Sequence, residues 1–142
     1  MRLPGLAAIL MIMTSLAREL DPVRCLIVDD SPQFLEAATA LLEREGLMVI
    51  GTASTSFDGL RLVAELQPDV TLVDIDLGAE SGFDLAERLT ERNAYRSAVI
   101  LVSTHAERDF VDLIQASGAD GFVPKSELSA DAINEILRRR PR

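Results

Sequence analysis

The chain has 142 residues, enough for about one domain, and with 48% hydrophobic and 26% charged residues it can fill a single core. Its net charge of −9 understates the acidity of the body, because residues 23–137 carry eight basic and twenty-one acidic groups, a net of −13. Such a surface repels phosphate backbones, so direct nucleic-acid binding is not expected; one cysteine and one histidine likewise leave no disulfide scaffold, no Cys-rich or His-rich metal site and little for a Ser-His-Asp triad.

At the amino terminus, residues 3–16 are mostly apolar, follow Arg2 and end near Ser15-Leu16-Ala17, the outline of a secretory signal. An upstream start, with Met11 or Met13 as initiator, is the preferred rival, and a tethering amphipathic helix comes third. Residues 1–22 are therefore set apart as an extension, and no stretch reaches the roughly 20 apolar residues of a membrane span.

From Val23 onward short apolar runs alternate with helical patterns. Residues 24–28 form a buried strand stopped by Asp29-Asp30, and Ser31-Pro32 opens a helix closed by Gly46. A second strand covers 47–53 and a second helix about 56–67, broken by Pro68-Asp69. The third strand, 70–73, runs straight into Asp74, and a Gly-containing loop follows over 75–82. Then come a helix over about 83–92, a strand over 98–102 ending at Ser103-Thr104, and a helix over 106–117. A short strand at 121–123 ends at Pro124-Lys125, and a last helix spans about 129–139. Five such units with near-continuous apolar strands predict one α/β domain, a doubly wound five-stranded parallel sheet of flavodoxin-like order 2-1-3-4-5.

In open parallel sheets the chemistry lies beyond the carboxyl ends of the strands. That rule selects Asp29 and Asp30, Asp74, Ser103 and Thr104, and Lys125. Converging carboxylates repel one another unless a cation joins them, and an oxygen set of this kind suits Mg²⁺. A Mg²⁺ held so completes its shell with water and a phosphate oxygen, which predicts a phosphoryl group as visitor. Lys125 is the sole lysine, all thirteen other basic residues being arginine, and a compact ammonium can follow a phosphoryl oxygen. With the Ser103 hydroxyl, the set supplies what in-line phosphoryl transfer to a carboxylate requires. Each residue alone has a plainer reading, as helix cap or surface charge; four separate strand ends delivering the needed types make the pattern.

The stretches Leu26-Ile27-Val28-Asp29-Asp30-Ser31, Pro68-Asp69-Val70-Thr71-Leu72-Val73-Asp74-Ile75, Ser81-Gly82, Val102-Ser103 and Gly118-Ala119-Asp120-Gly121-Phe122-Val123-Pro124-Lys125 resemble the receiver domain of bacterial two-component response regulators. The resemblance covers the body of the chain, so 23–142 is taken as the receiver domain. It implies that Asp74 is the phospho-acceptor, that Asp30 binds Mg²⁺ directly and Asp29 directly or through water, and that Asp76 gives its backbone carbonyl. Ser103 would follow the phosphoryl group, Lys125 would pair with its oxygen, and Phe122 stands at the family's aromatic switch. The implied protein is a cytoplasmic single-domain response regulator. Its donor would be a sensor histidine kinase or phosphotransfer protein, its output a downstream protein contact, and its only catalysis its own phosphorylation and dephosphorylation.

The regions around Ser103-Thr104-His105 and 116–125 are similar to receivers that precede helix-turn-helix output domains, so a regulator lacking its DNA-binding part is the alternative. A small phosphatase of the haloacid-dehalogenase type, suggested by Asp74-Ile75-Asp76, is the enzyme rival; its second acidic pair would follow the nucleophile rather than precede it. Phosphoryl chemistry fed from cytosolic ATP is also why an upstream start is preferred over a secretory signal. Three departures from the family pattern stand out. Gly78 replaces the usual proline, which predicts a looser loop; Ser126 follows Lys125, so no Lys-Pro bond exists; and Phe122 lacks a hydroxyl. Among single residues, His105 is a candidate rim residue, Cys25 a core residue, and Arg138–Arg142 a solvated helix end.

Overall fold

The computed structural model describes residues 5–92 and 97–140, with side chains 14–20 left aside. Residues 1–4, where the apolar run begins, and Arg142, at the end of the arginine run, lie outside it. Strands β1 (Arg24–Val28), β2 (Met48–Ala53), β3 (Val70–Asp74), β6 (Ala98–Ser103) and β7 (Gly121–Pro124) build one parallel sheet in the order β2-β1-β3-β6-β7. Between β3 and β6, two-residue strands β4 (Asp76–Leu77) and β5 (Glu80–Ser81) pair antiparallel. With the small hairpin set aside, the sheet has the order predicted from the sequence.

Period-two alternation along the strands explains why they read as continuous apolar runs. Cys25 and Ile27 face one core with Leu72, Ile100 and Val102, while Leu26 and Val28 face the other with Val73, Leu101 and Phe122. Helices α2 (Pro32–Arg44) and α6 (Ala130–Arg139) close the first face through Leu42, Ile133 and Ile136. Helices α3 (Ser56–Leu66), α4 (Gly82–Glu91) and α5 (Val111–Ser117) close the second through Val63, Leu85, Leu89 and Ile114. Cys25 belongs to the packing, as expected, and burial pushes its thiol up to about 12.

Helix starts follow local chemistry. Ser31, Thr55 and Ser129 each accept an amide hydrogen of the first turn through their hydroxyls. Helix α3 ends at Gln67 in the left-handed region (φ 49°), and the Arg24 guanidinium covers the end, donating to the carbonyls of Leu66 and Gln67, both at 2.7 Å. Glu45, past the end of α2, accepts the Ala130 amide at 2.8 Å and so joins α2 to the start of α6.

Three expectations need correction. The segment expected as a loose loop over 75–82 is the β4–β5 hairpin, and Gly78 (φ +72°) opens its two-residue turn. Proline, locked near −65°, cannot take that position, so the glycine and the hairpin go together. The helix expected over 106–117 is instead a 3₁₀ turn, Glu107–Asp109, followed by the seven-residue α5. Phe110 interrupts it with backbone that is neither helical nor extended (φ −134°, ψ 20°), its ring packed against Phe83. The arginine run is only partly solvated, because Arg140 pairs with Asp120 at 3.1 Å.

Helix α1 (Leu6–Leu20) precedes the sheet and exposes Leu6, Met11, Ile12 and Met13. Among the described residues no helix is long and apolar enough to cross a membrane.

Candidate functional site

The carboxyl ends of β1, β3, β6 and β7 meet at one cleft of about 580 Å³, lined by Asp30, Asp74, Asp76, Ser103, His105 and Lys125 among others. Asp29 lies beneath it, fully buried, while Asp30 is exposed. Carboxylate oxygens of Asp29, Asp30 and Asp74 lie within 4.8 Å of one another. The backbone fixes them. The Asp29 amide donates to the Ala53 carbonyl at 2.9 Å, and the Ile75 amide donates to the Val102 carbonyl at 3.1 Å, which locks each strand end in the sheet.

Lys125 closes the cluster from β7. Its Nζ is 2.6 Å from Asp29 Oδ2 and 3.5 Å from Asp74 Oδ2. The other Asp29 oxygen accepts the Ser31 amide at 2.8 Å, so the buried carboxylate is held from two sides. Burial first, and then the charge of Asp29, push the Asp74 carboxyl up to about 6, against the opposing pull of Lys125 and the Asp76 amide. A carboxylate whose ionised form is destabilised in this way gains from a cation joining the cluster. The donor set is all oxygen, as Mg²⁺ prefers, so the residues fit that ion.

Ser103 ends β6 and accepts the His105 amide at 2.9 Å through its hydroxyl, which leaves the O–H as a donor into the cleft. Asp76 lies on the rim, exposed, and its carboxylate accepts the Gly78 amide at 3.2 Å. His105 is exposed, with its ring edge-on to Phe110 at 5.9 Å between centroids. Phe122 is 8% exposed and sits within the second core, and no peptide bond among the described residues is cis.

The structure adds residues that the sequence left unremarked as parts of the site. A Cβ on Gly82 would lie 1.8 Å from the Asp74 carbonyl oxygen, so only glycine lets α4 start against the end of β3. Glu80 accepts the Ser56 amide at 3.2 Å and moors the hairpin to the start of α3. Phe34 places its ring under Lys125, 4.2 Å from Nζ to the ring centroid. Gly82 belongs to the Ser81-Gly82 stretch, whereas Phe34 stands in the sequence only as an apolar residue in the first turn of α2.

The sequence profile of the response regulator receiver domain matches residues 25–138. The chain belongs to that family. A protein-glutamate methylesterase/protein-glutamine glutaminase of Symbiobacterium thermophilum is 37% identical over 120 residues, 82% of this chain and 33% of that protein. The uncharacterized transcriptional regulatory protein YvfU of Bacillus subtilis is 32% identical over 120 residues, 82% of this chain and 60% of its own length. The receiver thus spans a third to three-fifths of these curated relatives. Among solved structures, the signal receiver domain of the putative response regulator NarL from Mycobacterium tuberculosis superimposes with a TM-score of 0.75 at 27% identity, covering 84% of this chain and 99% of that one. The flavodoxin-like receiver fold expected from the sequence is the fold observed.

Proposed function

We propose that this receiver accepts a phosphoryl group on Asp74 from a phosphohistidine donor and signals through contacts that depend on that modification. The observation that carries the reading is the meeting of Asp29, Asp30, Asp74 and Lys125 at one edge, each from a different strand end or adjoining residue. In the transfer an Asp74 oxygen attacks phosphorus, the new O–P bond forms, and the P–N bond breaks with its electron pair leaving on the imidazole. Lys125, already 3.5 Å from Asp74, meets a phosphoryl oxygen, and Ser103 offers it a hydroxyl hydrogen. Asp29, Asp30, Asp74 and the Asp76 carbonyl would hold Mg²⁺, which supplies neutralisation of the phosphoryl charge. Phe122 would turn with Ser103 and alter the surface of α5, β7 and α6.

The donor would be a sensor histidine kinase or phosphotransfer protein. The chain acts on no separate substrate in this reading, and its net acidity favours a protein over a nucleic acid as output partner. Phosphotransfer from a purified, phosphorylated histidine kinase tests it: wild type takes the label in Mg²⁺, and Asp30→Asn takes it far more slowly and binds Mg²⁺ more weakly by calorimetry. Equal Mg²⁺ affinity in the two proteins would contradict the metal assignment.

A further inference from the structure

We propose that Phe34 is a positioning residue for this reaction, its ring face holding the Lys125 ammonium at the place where a phosphoryl oxygen arrives. The inference rests on the phosphoryl-acceptor reading of Asp74.

The ring is put there by the start of α2. Ser31 caps the helix, its hydroxyl accepting the Phe34 amide at 3.3 Å, so Phe34 falls in the first turn. Side chains on a helix lean toward its amino end, which carries this ring back over the carboxyl end of β1. Half-buried, it packs on the core formed by Ile27, Leu42 and Val123. The Lys125 side chain, only 15% exposed, comes down onto it from the end of β7.

The ammonium therefore has two kinds of partner. Asp29 and Asp74 hold it by charge, at 2.6 and 3.5 Å, and Phe34 holds it by its ring face at 4.2 Å. The carboxylates are the same groups a divalent cation would share, so their grip on Lys125 weakens as that cation is bound. An aromatic face competes for neither the cation nor the phosphoryl group, and it carries no charge to repel an anionic donor. It keeps the ammonium in place and partly dry while the carboxylates are occupied elsewhere. A Leu side chain would give the same dryness without the attraction.

Two measurements test this. In metal-free protein the sole lysine gives one ε-methylene NMR signal. The ring current of Phe34 shifts it upfield in the wild type, and Phe34→Leu returns it to the ordinary position. The second is the rate of phosphorylation by acetyl phosphate at saturating Mg²⁺, followed by intact mass. Phe34→Leu should label about tenfold more slowly, and so should a protein carrying 3,4,5-trifluorophenylalanine at position 34 alone, which keeps the ring's size but removes its negative face. Phe34→Tyr should stay within about twofold of wild type. A wild-type rate for the trifluorinated protein, or an unshifted lysine signal in the wild type, would overturn the inference. Wild type that takes no label at all would instead bring down the reading of Asp74.

Discussion

In the proposed reaction Asp74 combines two demands that conflict in a folded protein: it would have to be ionised to attack phosphorus, and it is buried beside Asp29. Its carboxyl is raised from 3.8 to about 6, burial being the larger cause. A carboxyl whose folded value lies above its unfolded one contributes stability that is fully present below about pH 4 and is lost as the pH rises through about 6. Without Mg²⁺, then, Asp74→Asn, neutral at every pH, should be the more stable protein at pH 7.5, by about 2 kcal/mol. The two should converge toward pH 4. Thermal unfolding in EDTA across that range checks this, and parallel curves would contradict it. Greater stability of Asp74→Asn would show that the proposed acceptor carboxyl costs the fold stability. Thr71 shows a cost of another kind, since its hydroxyl is buried in β3 with no hydrogen-bond partner among the described residues. Thr71→Val keeps the shape and removes the unpaired group, so it should raise stability by about 1 kcal/mol in urea titration. A lower midpoint would mean that the hydroxyl has a partner in solution.

The central strands were legible because burial on both faces leaves them almost wholly apolar. The runs 24–28 and 70–73 correspond to β1 and β3, with β3 taking in Asp74 as its last residue. The connections were harder. Gly78 signals flexibility when read alone, but its positive φ becomes a requirement once Asp76–Leu77 pairs with Glu80–Ser81. Residues 106–117 carry a helical pattern, yet packing of Phe110 against Phe83 outweighs local propensity and splits the segment. Gly82 is where the elements meet most closely, because α4 starts directly on the backbone of Asp74. Gly82→Ala places a carbon against a carbonyl oxygen that is itself fixed in the sheet. The loss of stability should reach about 3 kcal/mol or more, and any folded fraction should label slowly because Asp74 is displaced. A Gly82→Ala protein with wild-type stability and labelling would show that the end of β3 can give way.

Across the molecule, the acceptor edge collects residues that are far apart in sequence, and the topology rule for open parallel sheets was enough to gather them. The acidic pair, Asp74, Ser103 and Lys125 are legible in the sequence because each ends or follows an apolar run. Phe34 is not, since nothing in a helical pattern tells which apolar side chain faces a lysine some ninety residues away. Neither core includes a residue from 5–13, the exposed first part of the amino-terminal helix. A chain beginning at Met13 should therefore melt within about 2 °C of the full chain, a difference of less than about 1 kcal/mol, and take the same label. A large drop in melting temperature would show that α1 supports the sheet. Phosphoryl acceptance by Asp74 is the central proposal. Wild type and Asp74→Ala are incubated with acetyl phosphate and Mg²⁺ and weighed intact by mass spectrometry. One phosphoryl group on the wild type, removed by mild base, and none on Asp74→Ala is the predicted result; an equal base-labile gain on both proteins would contradict it.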